Sequence, residues 1–380
     1  MIEDGVIEAV NPKTLPINIK AINKPKLTLL PGLMDMHVHI AFDLNKDYIS
    51  DFVRTNAADA TLIGAKNARV LLMAGFTTIR DLGQIYPGET FVDVALAKAS
   101  EKGIIEAPHI IPAGHALSIT GGHMDPEMVG PYHPGTFKNS YKNGVADGKA
   151  DVIKAVRYQI KNGAKIIKAA ATSGVLSHEK SVGAQQYSYE ELKAMVDEAA
   201  RHDIFVSVHA HGTEGIKSAI RAGVRSIEHG SMLDDEAISL MKEHGTFLVP
   251  TTYLTEGLDL SVIQPDLRQK AIKVFPLARA NLTKAIKANV KIAFGTDTPV
   301  FPHGQNAKEF NALVQRGMTP LQAIQTSTIN AAELMQIEDR GTLKVGMLAD
   351  IIGVQGDPIQ NITILESVPF VMKAGKVYKE

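Results

Sequence analysis

From about residue 30 to residue 300, apolar and polar positions alternate along the chain in one repeated rhythm. Each unit has a short apolar run rich in β-forming residues, then a turn, then a stretch such as residues 189–202 with apolar positions at helical spacing. Eight apolar runs occur, at residues 28–33, 77–80, 110–112, 165–169, 204–208, 225–227, 247–249 and 291–294. Apolar runs that alternate with helices are typical of parallel strands buried on both faces. The pattern therefore predicts an α/β fold, a (β/α)8 TIM-type barrel.

The two ends of the chain have a different pattern. Strand-like runs lie near the start, at residues 6–10, 17–22 and 26–30, and near the end, at residues 350–354 and 369–378. Strands at the two ends of a barrel chain can pair with each other. We therefore predict a small composite β domain, β-sandwich-like, from residues 1–30 and 341–380, and a (β/α)8 barrel from residues 31–340.

Composition narrows the classes of partner. The 380 residues are 45% hydrophobic, carry a formal net charge of −1 and contain no basic block, which argues against nucleic acid or a membrane as the partner. No apolar stretch approaches the length of a membrane span, and the first residues lack the pattern of a signal peptide, so we expect a cytoplasmic protein. The chain has no Cys, so a metal ion would need His, carboxylate or modified side chains as ligands.

Chemistry-bearing side chains close several of the apolar runs. The first run leads to His37-Val38-His39, and because alternate residues of a strand share a face, both histidines can reach one metal ion. Later runs end in Lys168, in His209 and His211, in His229 and in Asp297. The carboxyl ends of barrel strands carry the active site in this fold, so these side chains are expected to converge.

Each of these signals is weak alone. An isolated His-x-His is usually an ordinary strand feature, a lone Lys such as Lys168 usually extends its amine to solvent, and Asp297 could be a helix N-cap. Their occurrence in order at five strand ends favours a metal site.

The combined motifs resemble the metal-dependent amidohydrolase superfamily. The matching segments are residues 31–39, Lys168, His209, Glu228-His229-Gly230, Gly295-Thr296-Asp297 and residues 341–350. The resemblance implies two divalent metal ions, with Zn²⁺ expected, and a Lys168 carboxylated by CO2. It places one ion on His37, His39, Lys168 and Asp297, and the other on Lys168, His209 and His229. A lysine buried in an apolar barrel loses its charge more easily, and the neutral amine can react with CO2.

Further residues receive roles as catalytic or substrate-binding groups. Asp297 is the expected general base and acid, and His211 is either a donor to the developing oxyanion or a partner of a metal ligand. His115 and His123 lie in a Gly-rich loop suited to a substrate carboxylate. Tyr253 and Ser173 are weaker candidates for substrate binding.

Residues 119–123, His209-Ala-His211 and residues 370–378 resemble one branch of the superfamily, the Xaa-Arg/Lys carboxypeptidases and the prolidase-like Xaa-Pro dipeptidases. That branch implies hydrolysis of the amide bond before a C-terminal amino acid, by a hydroxide shared between the two ions. The substrate would be a small molecule or short peptide with a free carboxylate and a basic or bulky C-terminal residue. We also expect a homo-oligomer. The alternatives are an Xaa-Pro dipeptidase, a cyclic-amide hydrolase, an N-acyl amino acid amidase, a one-metal deaminase and a catalytically silent barrel.

Overall fold

The computed structural model describes residues 1–14, 19–83, 89–129 and 138–380. Its strands are β1 (Ile2–Glu3), β2 (Val6–Ile7), β3 (Leu27–Pro31), β4 (Leu33–Val38), β5 (Phe76–Asp81), β6 (His109–Pro112), β7 (Ile167–Ala170), β8 (Val206–Ala210), β9 (Ser226–His229), β10 (Phe247–Val249), β11 (Ile351–Gln355), β12 (Phe370–Lys373) and β13 (Lys376–Lys379). The α-helices are α1 (Tyr48–Arg54), α2 (Ala57–Met73), α3 (Val92–Glu101), α4 (Pro126–Val129), α5 (Gly148–Asn162), α6 (Tyr189–Ala200), α7 (Thr213–Ala222), α8 (Asp235–His244), α9 (Leu254–Gly257), α10 (Pro265–Lys287), α11 (Lys308–Gln315), α12 (Pro320–Thr326) and α13 (Ile329–Met335).

The barrel wall is a ring of parallel strands. Strands β4, β5 and β6 pair in that order, and β7, β8, β9 and β10 form the second arc. Residues 291–294 complete the ring, since Ala293 N–H donates to Leu248 O and Met36 N–H donates to Phe294 O. The arcs also meet where Lys165 N–H donates to Pro112 O. The predicted TIM-type barrel is confirmed.

Local capping explains where several helices begin and end. Ser188 and Glu191 form the capping box that starts α6, because each side chain accepts the backbone N–H of the other residue. Gly163 and Gly223 end α5 and α7 in the left-handed region, at φ 107° and 96°, which costs glycine little. The described helices include none long and apolar enough to cross a membrane.

Strands from the two ends of the chain share one antiparallel sheet of order β13-β12-β11-β3. The first predicted run, residues 28–33, spans two elements in the structure. Strand β3 pairs with β11 in this sheet, and β4 begins at Leu33 in the barrel. Gly32 separates them, where a Cβ atom would lie 2.1 Å from Thr77 Oγ1, so the crossing from sheet to barrel requires glycine.

Candidate metal centre and active site

The first cluster of possible metal ligands joins the end of β4 to the segment after residues 291–294. His37 Nε2 and His39 Nε2 lie 3.3 Å and 3.5 Å from the same oxygen, Asp297 Oδ1. One ligand atom from each residue lies within 4.8 Å of the others. Burial alone would raise the pKa of Asp297, but the nearby histidines, His37 first, bring that pKa well below its ordinary value. Asp297 is therefore a carboxylate beside two imidazoles.

The second cluster lies at the ends of the neighbouring strands β8 and β9. His209, His211 and His229 each offer a nitrogen within 4.8 Å of the other two. The ring centroids of His209 and His229 are 4.7 Å apart, and those of His37 and His229 are 5.0 Å apart, so the two clusters adjoin. Burial lowers the pKa of all three members of this cluster, which keeps the imidazoles neutral. Neutral imidazole is the form that binds a metal ion.

The atoms behind the first pair of histidines determine which ring nitrogen carries the proton. His37 Nδ1 lies 2.9 Å from Glu228 Oε2, and His39 Nδ1 lies 2.7 Å from Gly83 O. Both partners are acceptors, so each neutral ring donates from Nδ1. When both rings are neutral, the lone pairs on both Nε2 atoms face Asp297 Oδ1, an arrangement that a metal ion between them would stabilise.

The same arrangement recurs at the second cluster. His229 Nδ1 lies 2.8 Å from Thr251 Oγ1, and that hydroxyl donates to Pro250 O, so it accepts from the imidazole. His229 Nε2 is then the free acceptor. His209 Nε2 is buried without a hydrogen-bond partner among the described residues. His229 thus presents Nε2 as its acceptor nitrogen, and His209 presents a buried ring nitrogen without a partner among the described residues.

Lys168 is the strongest sign that the centre takes a further group. Its side chain is 0% exposed, and Nζ has no hydrogen-bond partner among the described residues. Burial lowers the pKa of the amine to about 8. A buried amine without a partner is costly, whereas an amine that has reacted with CO2 to bind metal ions is not. Histidine, carboxylate and carbamate donors suit Zn²⁺ or a similar divalent ion, so the residues present fit the implied metals.

His211 adjoins this centre with a different hydrogen bond. Its Nδ1 lies 2.8 Å from Ser231 Oγ, a hydroxyl that can donate or accept, so either ring tautomer is available. The ring stacks on His229 with centroids 5.0 Å apart. This geometry permits an Nε2–H donor, as well as a third nitrogen ligand beside His209 and His229.

A cavity that opens to solvent has both clusters at its base, and its empty space, counted together with the solvent at its mouth, is about 1300 Å³. Its upper wall is formed by apolar side chains of the loop after β7 and of the α9–α10 region: Val175, Leu176, Leu254, Leu258, Ile263, Leu267, Val274 and Phe275. Among the described lining residues Asp297 is the one carboxylate, and no Lys or Arg is present. The cavity is thus polar at its base and apolar above it.

Of the four predicted substrate-binding residues, one lines the cavity and three do not. His123 lines the cavity, stacks on His209 at 4.0 Å between ring centroids and holds Ser177 Oγ at 2.6 Å from Nδ1. The other three do not line the cavity as the structure describes it. The ring of His115 packs against Phe91, Ser173 bonds within its own loop, and the ring of Tyr253 packs against Phe301.

Sequence reasoning assigned no role to Glu228 and did not single out Arg80, the two residues behind His37. Arg80 and Glu228 are both 0% exposed and form an ion pair at 2.8 Å inside the barrel. Burial alone would raise the pKa of Glu228, but Arg80 and then His37 bring it down to about 2. The sequence feature that could have indicated this pair is Arg80 itself, a charged residue at the end of an otherwise uncharged predicted strand.

The fold and site together define a class, a (β/α)8 barrel with histidine and carboxylate clusters at the carboxyl ends of its strands. A family model, the amidohydrolase family, matches residues 28–378, and the chain belongs to that family. It is therefore a hydrolase that acts on amide bonds.

Individual relatives support this placement. Ochratoxinase of Aspergillus niger is 38% identical over 373 residues, which cover 92% of this chain and 75% of that protein. The structure of a Xaa-Pro dipeptidase with bound methionine in the active site has a TM-score of 0.93 at 37% identity, covering 100% of this chain and 94% of that one. A prolidase complexed with N-methylphosphonate-L-proline has a TM-score of 0.89 at 32% identity, covering 100% of this chain and 94% of that one.

Proposed function

We propose that the protein is a two-metal hydrolase of the amide bond before a C-terminal amino acid whose carboxylate is free. The observation that carries the metal part is Lys168, a fully buried amine without a partner among the described residues, in the same centre as the unpaired His209 Nε2. Carboxylation of Lys168 and two divalent ions, with Zn²⁺ expected, would satisfy both atoms.

The proposed ligand sets use the two clusters without His211, and add Lys168. His37, His39 and Asp297 would hold one ion, and His209 and His229 the other, with carboxylated Lys168 shared by both. When bound, such ions polarise the amide carbonyl and lower the pKa of a water molecule to near neutrality.

Asp297 is the proposed general base and then general acid. As an ionised carboxylate at the cavity base it can accept a proton from the attacking water, and the protonated oxygen can then donate it to the leaving amine nitrogen. His211 is the proposed donor to the developing oxyanion. In that role Nε2 carries the proton, and Ser231 Oγ donates to Nδ1.

The apolar upper wall supports a bulky apolar C-terminal side chain over a basic one. An Arg or Lys side chain would find one carboxylate in the described lining, Asp297, which is needed for proton transfer. Burial of the aliphatic stem would not offset loss of the charged group's water. Methionine bound in the active site of the Xaa-Pro dipeptidase, which is 37% identical to this chain, is consistent with an apolar amino acid in this cavity.

The carboxylate would be met by histidine, since the described lining has no Lys or Arg. His123 comes from the Gly-rich loop expected to bind it, and His178 lines the same cavity.

A substrate panel tests this proposal. N-acyl amino acids and dipeptides that differ only in the C-terminal residue are compared, with Phe, Leu, Met, Arg, Lys, Pro and Gly at that position. We expect the highest kcat/KM for the bulky apolar residues and loss of turnover when the terminal carboxylate is amidated. Equal turnover of amidated substrates would refute carboxylate recognition, and a preference for Arg or Lys would refute the apolar side-chain site.

A second candidate is an Xaa-Pro dipeptidase, which the likeness to the prolidase complexed with N-methylphosphonate-L-proline favours. The same panel separates the two. An Xaa-Pro dipeptidase should show its highest kcat/KM with the Xaa-Pro substrates. Its site would select the tertiary amide and the rigid proline ring, and the size of the C-terminal side chain would matter less.

A further inference from the structure

Inside the barrel, behind the first metal cluster, lies a charged group where TIM-type barrels usually place apolar layers. Arg80 Nη2 donates to Glu228 Oε1 at 2.8 Å, and both side chains are 0% exposed. An ion pair withdrawn from water is costly unless its remaining hydrogen bonds are satisfied. Its presence directly behind a metal-ligand histidine therefore needs a reason.

The pair is held from several strands. Arg80 Nε donates to Met36 O in β4, and Nη1 donates to Ser207 Oγ in β8 at 2.8 Å and to Ser226 Oγ in β9 at 3.2 Å. Arg80 itself lies in β5. One guanidinium thus connects four barrel strands, which leaves it little freedom to move.

Glu228 has both oxygens occupied in fixed directions. Oε1 accepts from Arg80 and from Ser226 Oγ, and Oε2 lies 2.9 Å from His37 Nδ1. The Arg80 guanidinium has only hydrogen-bond donors, so Glu228 Oε1 must be an acceptor. Since the carboxylate is ionised in this ion pair, Glu228 Oε2 is an acceptor as well. A neutral His37 is therefore expected to carry its proton on Nδ1, 2.9 Å from Glu228 Oε2, since the other carboxylate oxygen near the ring, Asp297 Oδ1, lies farther away, 3.3 Å from Nε2.

We propose that Glu228, held by Arg80, is a positioning residue that fixes His37 in the tautomer and orientation whose Nε2 is free for the metal ion. This inference rests on the proposed metal centre and not on the substrate. It assigns the buried ion pair to metal binding, because a carboxylate behind a ligating histidine fixes its ring and strengthens it as a ligand.

Glu228→Gln is a test of this role because it keeps the shape of the side chain. Arg80 can accept nothing, so the glutamine oxygen must face Arg80 and the NH2 group must face His37 Nδ1. His37 would then accept at Nδ1 and carry its proton on Nε2, the nitrogen that should bind metal. The analogous Asp-to-Asn change behind a catalytic histidine acts through the wrong tautomer.

The measurement is Zn²⁺ and Co²⁺ affinity and metal content per chain, by chelator competition on the metal-free protein, with no substrate present. We expect Glu228→Gln to weaken binding about 10- to 100-fold. The double variant Arg80→Met/Glu228→Gln should recover affinity, because the amide can then turn its oxygen to His37. Unchanged affinity in Glu228→Gln, or a double variant no tighter than the single one, would overturn the proposal.

Glu198→Gln is the matched control. The Glu198 side chain is 3% exposed, and its carboxylate also forms ion pairs with arginines, Arg157 and Arg201. Glu198 lies on α6, outside the barrel. We expect it to bind metal like the wild type. If Glu198→Gln lost as much affinity as Glu228→Gln, a general effect of losing a buried ion pair would explain the result and the positioning role would fall.

A second measurement needs no folded variant at Glu228. In metal-free wild-type protein labelled with ¹⁵N-histidine, at alkaline pH, the His37 ring should show a protonated Nδ1 and an unprotonated Nε2, with the signals assigned from His37→Gln. The opposite tautomer would overturn the proposal. A protein that binds metal but cleaves no member of the substrate panel would refute the proposed substrate class and leave this inference standing.

Discussion

At the scale of single residues, the nitrogen atoms that can bind metal are selected by the atoms behind them. Glu228, Gly83 O and Thr251 each accept, or are placed to accept, the Nδ1 proton of a different histidine. A main-chain carbonyl such as Gly83 O leaves no signature in the sequence. Sequence therefore predicted that these histidines and Asp297 lie together, but not the hydrogen bonds that direct their ring nitrogens.

Lys168 makes the sharpest prediction at this scale. Lys168→Ala should reduce hydrolysis of the best panel substrate by at least about 10³-fold and lower the metal content, since a shared anionic ligand would be lost. Wild-type protein prepared without CO2 should lose activity and regain it with bicarbonate. Intact-mass spectrometry of the native metal-loaded protein should show the mass of one added CO2.

Lys165→Ala is the control in the same segment. Lys165 is exposed and lies three positions earlier, just before β7. Lys165→Ala should keep full activity, and its activity should depend on bicarbonate as that of the wild type does. Full activity in Lys168→Ala, or a wild-type enzyme indifferent to CO2 with an unmodified lysine, would refute carboxylation.

At the scale of elements, the long helix α10 and the short helix α9 contribute apolar side chains to the wall of the cavity. The 23 residues of α10 begin with Pro265 at the first turn, and their buried positions include Leu267, Val274 and Phe275. The sequence pattern does not predict one continuous helix here, because Pro276 lies in its interior, where proline usually ends or kinks a helix. It does not predict that its apolar stripe faces the cavity, because the same stripe could equally pack on the barrel.

We expect Phe275→Ala to act on substrate choice. Phe275 lines the cavity and is 7% exposed, and full burial of the substrate's own apolar side chain against such a wall is worth roughly 1.5–3 kcal/mol, of which the variant would remove a part. The variant should lower kcat/KM about 10-fold or more for Phe-ended substrates, with less effect on Gly-ended ones. The ratio of the two kcat/KM values is the measurement.

The neighbouring Leu277→Ala is a control on the same helix. Leu277 is 49% exposed, so its truncation should leave the Phe-to-Gly ratio unchanged. If Phe275→Ala lowered kcat/KM equally for the Phe-ended and the Gly-ended substrates, Phe275 would support the helix and would not select the substrate.

At the scale of the whole molecule, the repeated rhythm of apolar runs was sufficient to predict the barrel, because each run can bury both faces only between helices. Pairing of the two chain ends was also predictable from their β-rich composition. The exact crossing between sheet and barrel was not. Residues 28–33 form one apolar run, and nothing in their hydrophobicity marks the change of partner from β11 to β5.

Gly32, at that crossing, makes the last prediction. In Gly32→Ala the new methyl group would overlap Thr77 Oγ1, and overpacking of this kind typically costs about 1–3 kcal/mol, so the midpoint of urea unfolding should fall. Thr77 Oγ1 has no hydrogen-bond partner among the described residues, so Thr77→Ala should cost little by itself. The double variant should then recover part of the loss, since the overlapping oxygen is gone. Strictly additive effects would mean that the contact between Gly32 and Thr77 does not determine how the sheet joins the barrel.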